Sequence, residues 1–141
     1  MNRQFKPLSY HNAGHAVATA LIEGAHAGHS CGDASHESRW SAEYNTMTAL
    51  GGVVAERLFL GLVDPTGAKN DVENAFRHIS ALTGVPGEQT AYVNFLNARV
   101  EYMLEQHRPF IDYVASMIDD GDLTSANDVA RAALKRFLVG G

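Results

Sequence analysis

Cysteine is nearly missing from this 141-residue chain: Cys31 stands alone, so no disulfide can form within it. A single thiol agrees with a reducing compartment. No run of basic residues occurs, and the formal net charge is −5, so the electrostatic footprint of a nucleic-acid binder is missing and an anionic membrane is a poor partner. Uninterrupted apolar stretches fall far short of the roughly 20 residues that span a bilayer, and Met1 to Tyr10 has no apolar signal core. A G-x-x-x-x-G-K-[ST] phosphate loop is absent too, so nucleotide-driven work is not expected of this chain. These absences point to one cytoplasmic domain over residues 1–141, with no ATPase domain and no transmembrane segment. Its apolar fraction of 45% is enough for a sizeable core. What the chain does have is seven histidines, a number that directs attention to metals.

Periodicity and breakers predict a mainly α fold of about six helices. The first is expected from about Pro7 to Glu23, with Val17, Ala18, Leu21 and Ile22 on its buried face and Gly24 as its stop. Ala25 to Arg39 has almost no aliphatic residues and reads as a loop or a ragged hairpin. A second helix is expected over roughly Ala42 to Leu60, ended by Gly61; the Gly51-Gly52 pair inside it suggests close packing against another backbone. A third is expected to begin at Asn70 or Asp71, where Asn70 and Glu73 form a capping-box pattern, and to end near Gly84. A fourth covers about Thr90 to Gln106, a fifth runs from Arg108-Pro109 to about Asp119, and a last one from about Ser125 to Phe137. Trp40, Phe76, Tyr92 and Phe95 read most simply as core.

His11 and His15 are four apart on the first helix, so both imidazoles face one point, the spacing a helix uses to hold zinc. In a chain with seven histidines such a pair arises readily by chance and identifies no motif by itself. Asp71 is favoured at a helix N-terminus by the dipole, whether or not it also serves as a ligand. His26, His29, Cys31, Asp33 and His36 crowd the short loop, but their spacing matches no defined metal motif. His78 lies two turns beyond Asp71 and reads either as a neighbour of a metal site or as a half-buried core histidine. Glu56 is either an orienting partner for a metal-bound histidine or a surface carboxylate.

Context sharpens the pair. The string Tyr10, His11, Asn12, Ala13, Gly14, His15, Ala16, Val17 resembles the Tyr-His-Glu-Ala-Gly-His-Ala-Val signature of the FtsH family of ATP-dependent zinc proteases. Gly51-Gly52-Val53-Val54-Ala55-Glu56-Arg57-Leu58 is similar to that family's Gly-Gly-Arg-Ala-Ala-Glu-Glu-Leu helix, and Thr66-Gly67-Ala68-Lys69-Asn70-Asp71-Val72 to its Thr-Gly-Ala-Ser-Asn-Asp-Ile segment. Order and spacing both fit, and the resemblance extends over about Leu8 to Phe137, more weakly at the C-terminal end.

The resemblance implies an FtsH-type zinc peptidase domain in which His11, His15 and Asp71 bind Zn2+ and the fourth position is left to water. It also implies that position 12 carries the general base, the glutamate that takes a proton from water and returns it to the leaving amine. Asn12 does not titrate and is one methylene shorter than glutamate. The expectation is therefore a retained zinc site with impaired peptide hydrolysis, unless a carboxylate such as Asp33, Glu37 or Glu43 substitutes. Glu23 is excluded, being about 18 Å up the same helix from His11. The family places a longer segment with β structure between its first two helices, and here only about 35 residues separate His15 from Gly51, so that segment is expected to be shortened or missing. The implied partner is a polypeptide, with assembly into a homo-oligomer or with an ATPase-bearing relative as further possibilities. A working zinc peptidase with a substitute base and a metal-free helical interaction module are the alternatives.

Overall fold

The computed structural model of the chain describes residues 7–26, 34–61 and 63–119. Among them are five helices and no strand: α1 (Pro7–His26), α2 (Ala34–Leu60), α3 (Pro65–Ile79), α4 (Pro86–Gln106) and α5 (Arg108–Asp119). No helix among the described residues is long and apolar enough to cross a membrane.

Helix α1 is covered on several sides. Ser9, Tyr10, Ala13, Ala16, Val17, Ala18, Ala20 and Ile22 are all buried, more than one face of a helix supplies, because α2, α4 and α5 all pack against it. Its side chains are small where α2 crosses. A Cβ added at Gly51 would lie 2.6 Å from the carbonyl oxygen of Gly14, and a Cβ at Gly14 would overlap the carbonyl of Gly51. The two backbones therefore touch, as the glycine pair suggested, and that contact brings the imidazole face of α1 down onto α2.

The remaining helices close around this pair in regular register. Helix α2 contributes Leu50, Val53, Val54 and Ala55 to the core and stops at Leu60, where Gly61 takes φ = 71°, the left-handed conformation that ends helices at little cost for glycine. Helix α4 buries Val93, Leu96, Val100 and Leu104, and α5 buries Phe110, Ile111, Val114 and Ala115. Tyr10 of α1 donates to Asp112 Oδ1 of α5 at 3.0 Å; burial first, and then this bond, push the phenol up to about 12.

Several expected boundaries move, each for a local reason. Helix α1 runs through Gly24 to His26, and α2 starts at Ala34, so much of the expected loop over Ala25 to Arg39 is helical. Helix α3 starts at Pro65 rather than at Asn70 or Asp71. Asp64 caps it, with Oδ2 accepting from Gly67 N at 3.2 Å, and Pro65 supplies the preset first position. The Asn70–Glu73 capping box does not form, and Asp71 sits in the helix interior, 8% exposed. Helix α3 also ends at Ile79, short of Gly84, because turns follow at Ser80 to Leu82. Helix α4 begins at Pro86, not Thr90. Phe95, expected in the core, is 55% exposed. The expected sixth helix, Ser125 to Phe137, lies outside the described residues.

The glycine contact is testable by comparison. Gly14→Ala forces α1 and α2 apart and should lower the free energy of urea unfolding by about 1–3 kcal/mol. Gly87→Ala, whose added Cβ meets nothing within 4 Å, should be neutral or stabilise by up to about 1 kcal/mol. Equal effects of the two substitutions would contradict the backbone contact.

Candidate metal centre

The face of α1 pressed toward α2 and α3 carries His11 and His15, and the interior of α3 carries Asp71. Their inward atoms form a small triangle. His11 Nε2 and His15 Nε2 are 3.1 Å apart, and Asp71 Oδ2 lies 3.1 Å from the first and 3.3 Å from the second. The three form the one His/Asp/Glu/Cys grouping among the described residues whose ligand atoms converge in this way. A tetrahedral zinc ion with bonds of about 2.0–2.1 Å holds its ligand atoms about 3.3 Å apart. The triangle has those dimensions without rearrangement.

The outer nitrogens fix what the inner ones present. His15 Nδ1 donates to the carbonyl oxygen of Thr48 at 2.6 Å, and a carbonyl only accepts, so this ring keeps its proton on Nδ1 and turns a lone pair inward from Nε2. His11 Nδ1 faces Glu56 Oε1 in a short hydrogen bond, with the same consequence. Glu56 is 3% exposed, and its other oxygen accepts the backbone N–H of Asp64 at 2.9 Å. With both imidazoles neutral, two lone pairs and a carboxylate oxygen converge with no proton among them. Asp71 Oδ2 is accordingly a buried oxygen with no hydrogen-bond donor. An orphaned buried acceptor costs on the order of 1–3 kcal/mol, more when charged, so the arrangement calls for a cation at its centre.

Glycines keep that centre open. A Cβ at Gly52 would lie 2.5 Å from His15 Nε2 and 2.7 Å from His11 Nε2, and a Cβ at Gly67 would lie 3.3 Å from His11 Cε1. Gly52 thus spares the imidazoles, while its neighbour Gly51 serves the backbone contact.

In metal-free protein a proton on an inward Nε2 would supply that positive charge. The hydrogen bond to Asp71 raises His11 above the usual 6.5 against the opposing cost of burial, and Glu56 adds to the rise. For Asp71, burial alone works to raise the carboxyl, but hydrogen bonds from His11 and His15 together hold it below 3.8. The orphan oxygen acquires its donor only when an Nε2 is protonated.

Asn12 is half-buried on α1, about 100° around the helix from His11 and 60° from His15, at the edge of the imidazole face. The other candidates are not brought in. Glu43 accepts a short hydrogen bond from Tyr92 in a separate groove of about 890 Å³ lined also by Arg39 and Phe95. Glu23 accepts from Tyr44 at 3.0 Å. His78 is half-buried near the end of α3 and is not among the converging residues. The side chains of His26, His29, Cys31, Asp33, His36 and Glu37 lie outside the described residues. Sequence reading missed Thr48, which acts through a main-chain carbonyl and so leaves no side-chain signature, and Asp64, whose Asp-Pro pair was the available signal for the helix start.

Comparison with family models, with curated proteins and with solved structures finds no match for this chain.

The proton-held state has a distinct pH dependence. The raised His11 adds stability in full below 6.5 and loses it as pH rises through its higher folded value. Asp71 behaves in the opposite sense, contributing above 3.8 and losing its contribution as pH falls through its lower folded value. The melting temperature of metal-free protein should therefore decline as pH rises above 6.5, and His11→Asn should flatten that decline. An unchanged slope in the variant would contradict the proton-held state.

Proposed function

We propose that this chain is an FtsH-type zinc peptidase-like domain that binds Zn2+ through His11, His15 and Asp71 and in which Asn12 leaves peptide hydrolysis impaired. The observation that carries the reading is the orphaned Oδ2 of Asp71 facing two imidazole lone pairs. Two neutral imidazoles and one carboxylate are a donor set zinc accepts readily, and leave a fourth position open. Zinc bound there would supply Lewis acidity and draw the pKa of a coordinated water toward neutrality.

The chain's own residues then set how far the reaction proceeds. Glu56 and Thr48 hold the two imidazoles in the tautomer that offers Nε2 inward. Asp71 would neutralise part of the metal's charge. What is missing is a group to take a proton from water and return it to the departing amine. Asn12 stands where the resemblance puts that group, and its amide can orient a hydrogen bond but carries no proton between partners. Loss of a general base removes typically 10² to 10⁴ in rate, about 3–5 kcal/mol of barrier. Glu56 does not take over, because it sits on the Nδ1 side of the His11 ring, away from the inward Nε2, and Glu43 belongs to the separate groove. The role left to such a domain is recognition of polypeptide, alone, as a homo-oligomer, or assembled with an ATPase-bearing relative.

A metal-free helical module is the second reading, favoured by the same cluster's capacity to be satisfied by a proton on His11. An assay of unfolded casein with zinc-supplemented protein tests the leading one. The unsubstituted chain should cleave at least 10²-fold more slowly than Asn12→Glu. Zinc-dependent cleavage by the unsubstituted chain at the rate of Asn12→Glu would contradict impaired hydrolysis. Stoichiometric zinc binding without cleavage by either protein would instead implicate a shortened or missing substrate-binding segment between His15 and Gly51, or the lack of a motor.

A further inference from the structure

Glu56 touches more than the histidine it orients. Its Oε1 receives the Nδ1 proton of His11, and its Oε2 receives the backbone N–H of Asp64 at 2.9 Å. Asp64 is the N-cap of α3, and its own carboxylate closes the first turn of that helix on Gly67 N. Two turns further along α3 is Asp71. A single buried carboxylate on α2 therefore grips both the ring that offers one candidate ligand and the start of the helix that offers another.

We propose that Glu56 is a positioning residue that couples metal occupancy at His11 to the anchoring of the α3 N-terminus through the Asp64 main chain; this rests on the zinc-binding reading above. The physical link is polarisation along one hydrogen-bonded path. A cation on His11 Nε2 makes the ring's Nδ1–H a stronger donor, which holds the Glu56 carboxylate in one orientation and so keeps Oε2 on the Asp64 N–H. Linkage makes the effect reciprocal: whatever loosens the Asp64 N–H contact weakens metal binding by the same factor that metal binding tightens the contact. Only a carboxylate serves both partners. Each partner is a donor, and an amide at position 56 has one acceptor oxygen and an NH2 group, so one of the two contacts must fail.

The backbone itself provides a clean probe. Asp64 has φ = −68°, within the range of proline, so Asp64→Pro removes the N–H while keeping the local chain direction. Asp64→Ala removes only the capping side chain and leaves the N–H in place. Zinc affinity is read by competition with a chromophoric chelator for the unsubstituted chain, Glu56→Gln, Asp64→Ala and Asp64→Pro, each checked for helicity by circular dichroism. Hydrogen exchange at the Asp64 amide is measured with and without zinc in the unsubstituted chain and in Glu56→Gln, which requires no change at position 64.

The expected results are a loss of zinc affinity of about 10- to 100-fold in Glu56→Gln, and at least fivefold weaker binding by Asp64→Pro than by Asp64→Ala. Zinc should slow exchange at the Asp64 amide about tenfold or more in the unsubstituted chain and not in Glu56→Gln. Stoichiometric zinc binding with equal affinities for the two Asp64 variants, or with Asp64 exchange indifferent to zinc, overturns the coupling while leaving the zinc reading intact. Failure of the unsubstituted chain to bind zinc overturns both.

Discussion

Three electron-rich atoms meet at one point, and much of the local structure can be understood as what forces them together. Nε2 of His11, Nε2 of His15 and Oδ2 of Asp71 lie within 3.3 Å of one another. Such a cluster of lone pairs repels itself, and the hydrogen bonds of Glu56 and the Thr48 carbonyl to the outer nitrogens hold the rings in place against that repulsion. The repulsion is removed by a cation, either a proton shared with Asp71 or a metal ion. On the zinc reading these two occupants would compete for the same lone pairs, which would make the cluster sensitive both to acidity and to metal supply.

The packing explains why the cluster cannot spread. Gly14 and Gly51 let the α1 and α2 backbones touch, which places Gly52 directly beneath the imidazoles and leaves no atom there to fill the centre. Thr48 and Glu56, one turn on either side of Gly52 along α2, take the outer nitrogens and fix both rings. Helix α3 is set by its Asp64 cap, and Asp71 follows two turns later with its carboxylate buried against the rings. Each of these parts has a local cause in the sequence, and the cluster is their joint result.

Part of this was legible in the chain itself. The i, i+4 spacing of His11 and His15 and the paired glycines at 51 and 52 are local signals, and the positions they imply agree with the observed helices. Helix α5 was bounded correctly because Arg108-Pro109 and the apolar pattern after it are short-range features. The start of α3 was misplaced because two capping signals competed, Asp64-Pro65 and Asn70 with Glu73, and only the first has its side chain bonded to the turn. That error matters for function. At a helix N-terminus Asp71 has an ordinary electrostatic explanation, whereas in a helix interior at 8% exposure it requires a partner. The exposed Phe95 and the main-chain role of Thr48 depend on how α2 and α4 pack, which no local pattern encodes. The resemblance to FtsH-type peptidases rests on the sequence motifs around His11, Gly51 and Asp71.

The most direct test of the account is the metal content of protein purified without added metal or an affinity tag that binds metal, measured by mass spectrometry for the unsubstituted chain and for His15→Ala and Asp71→Ala. The account predicts about one zinc per chain, lost in both variants while helicity is retained. No zinc in the unsubstituted chain, even after incubation with a modest excess, would contradict it and leave a helical domain whose cluster is held by a proton alone.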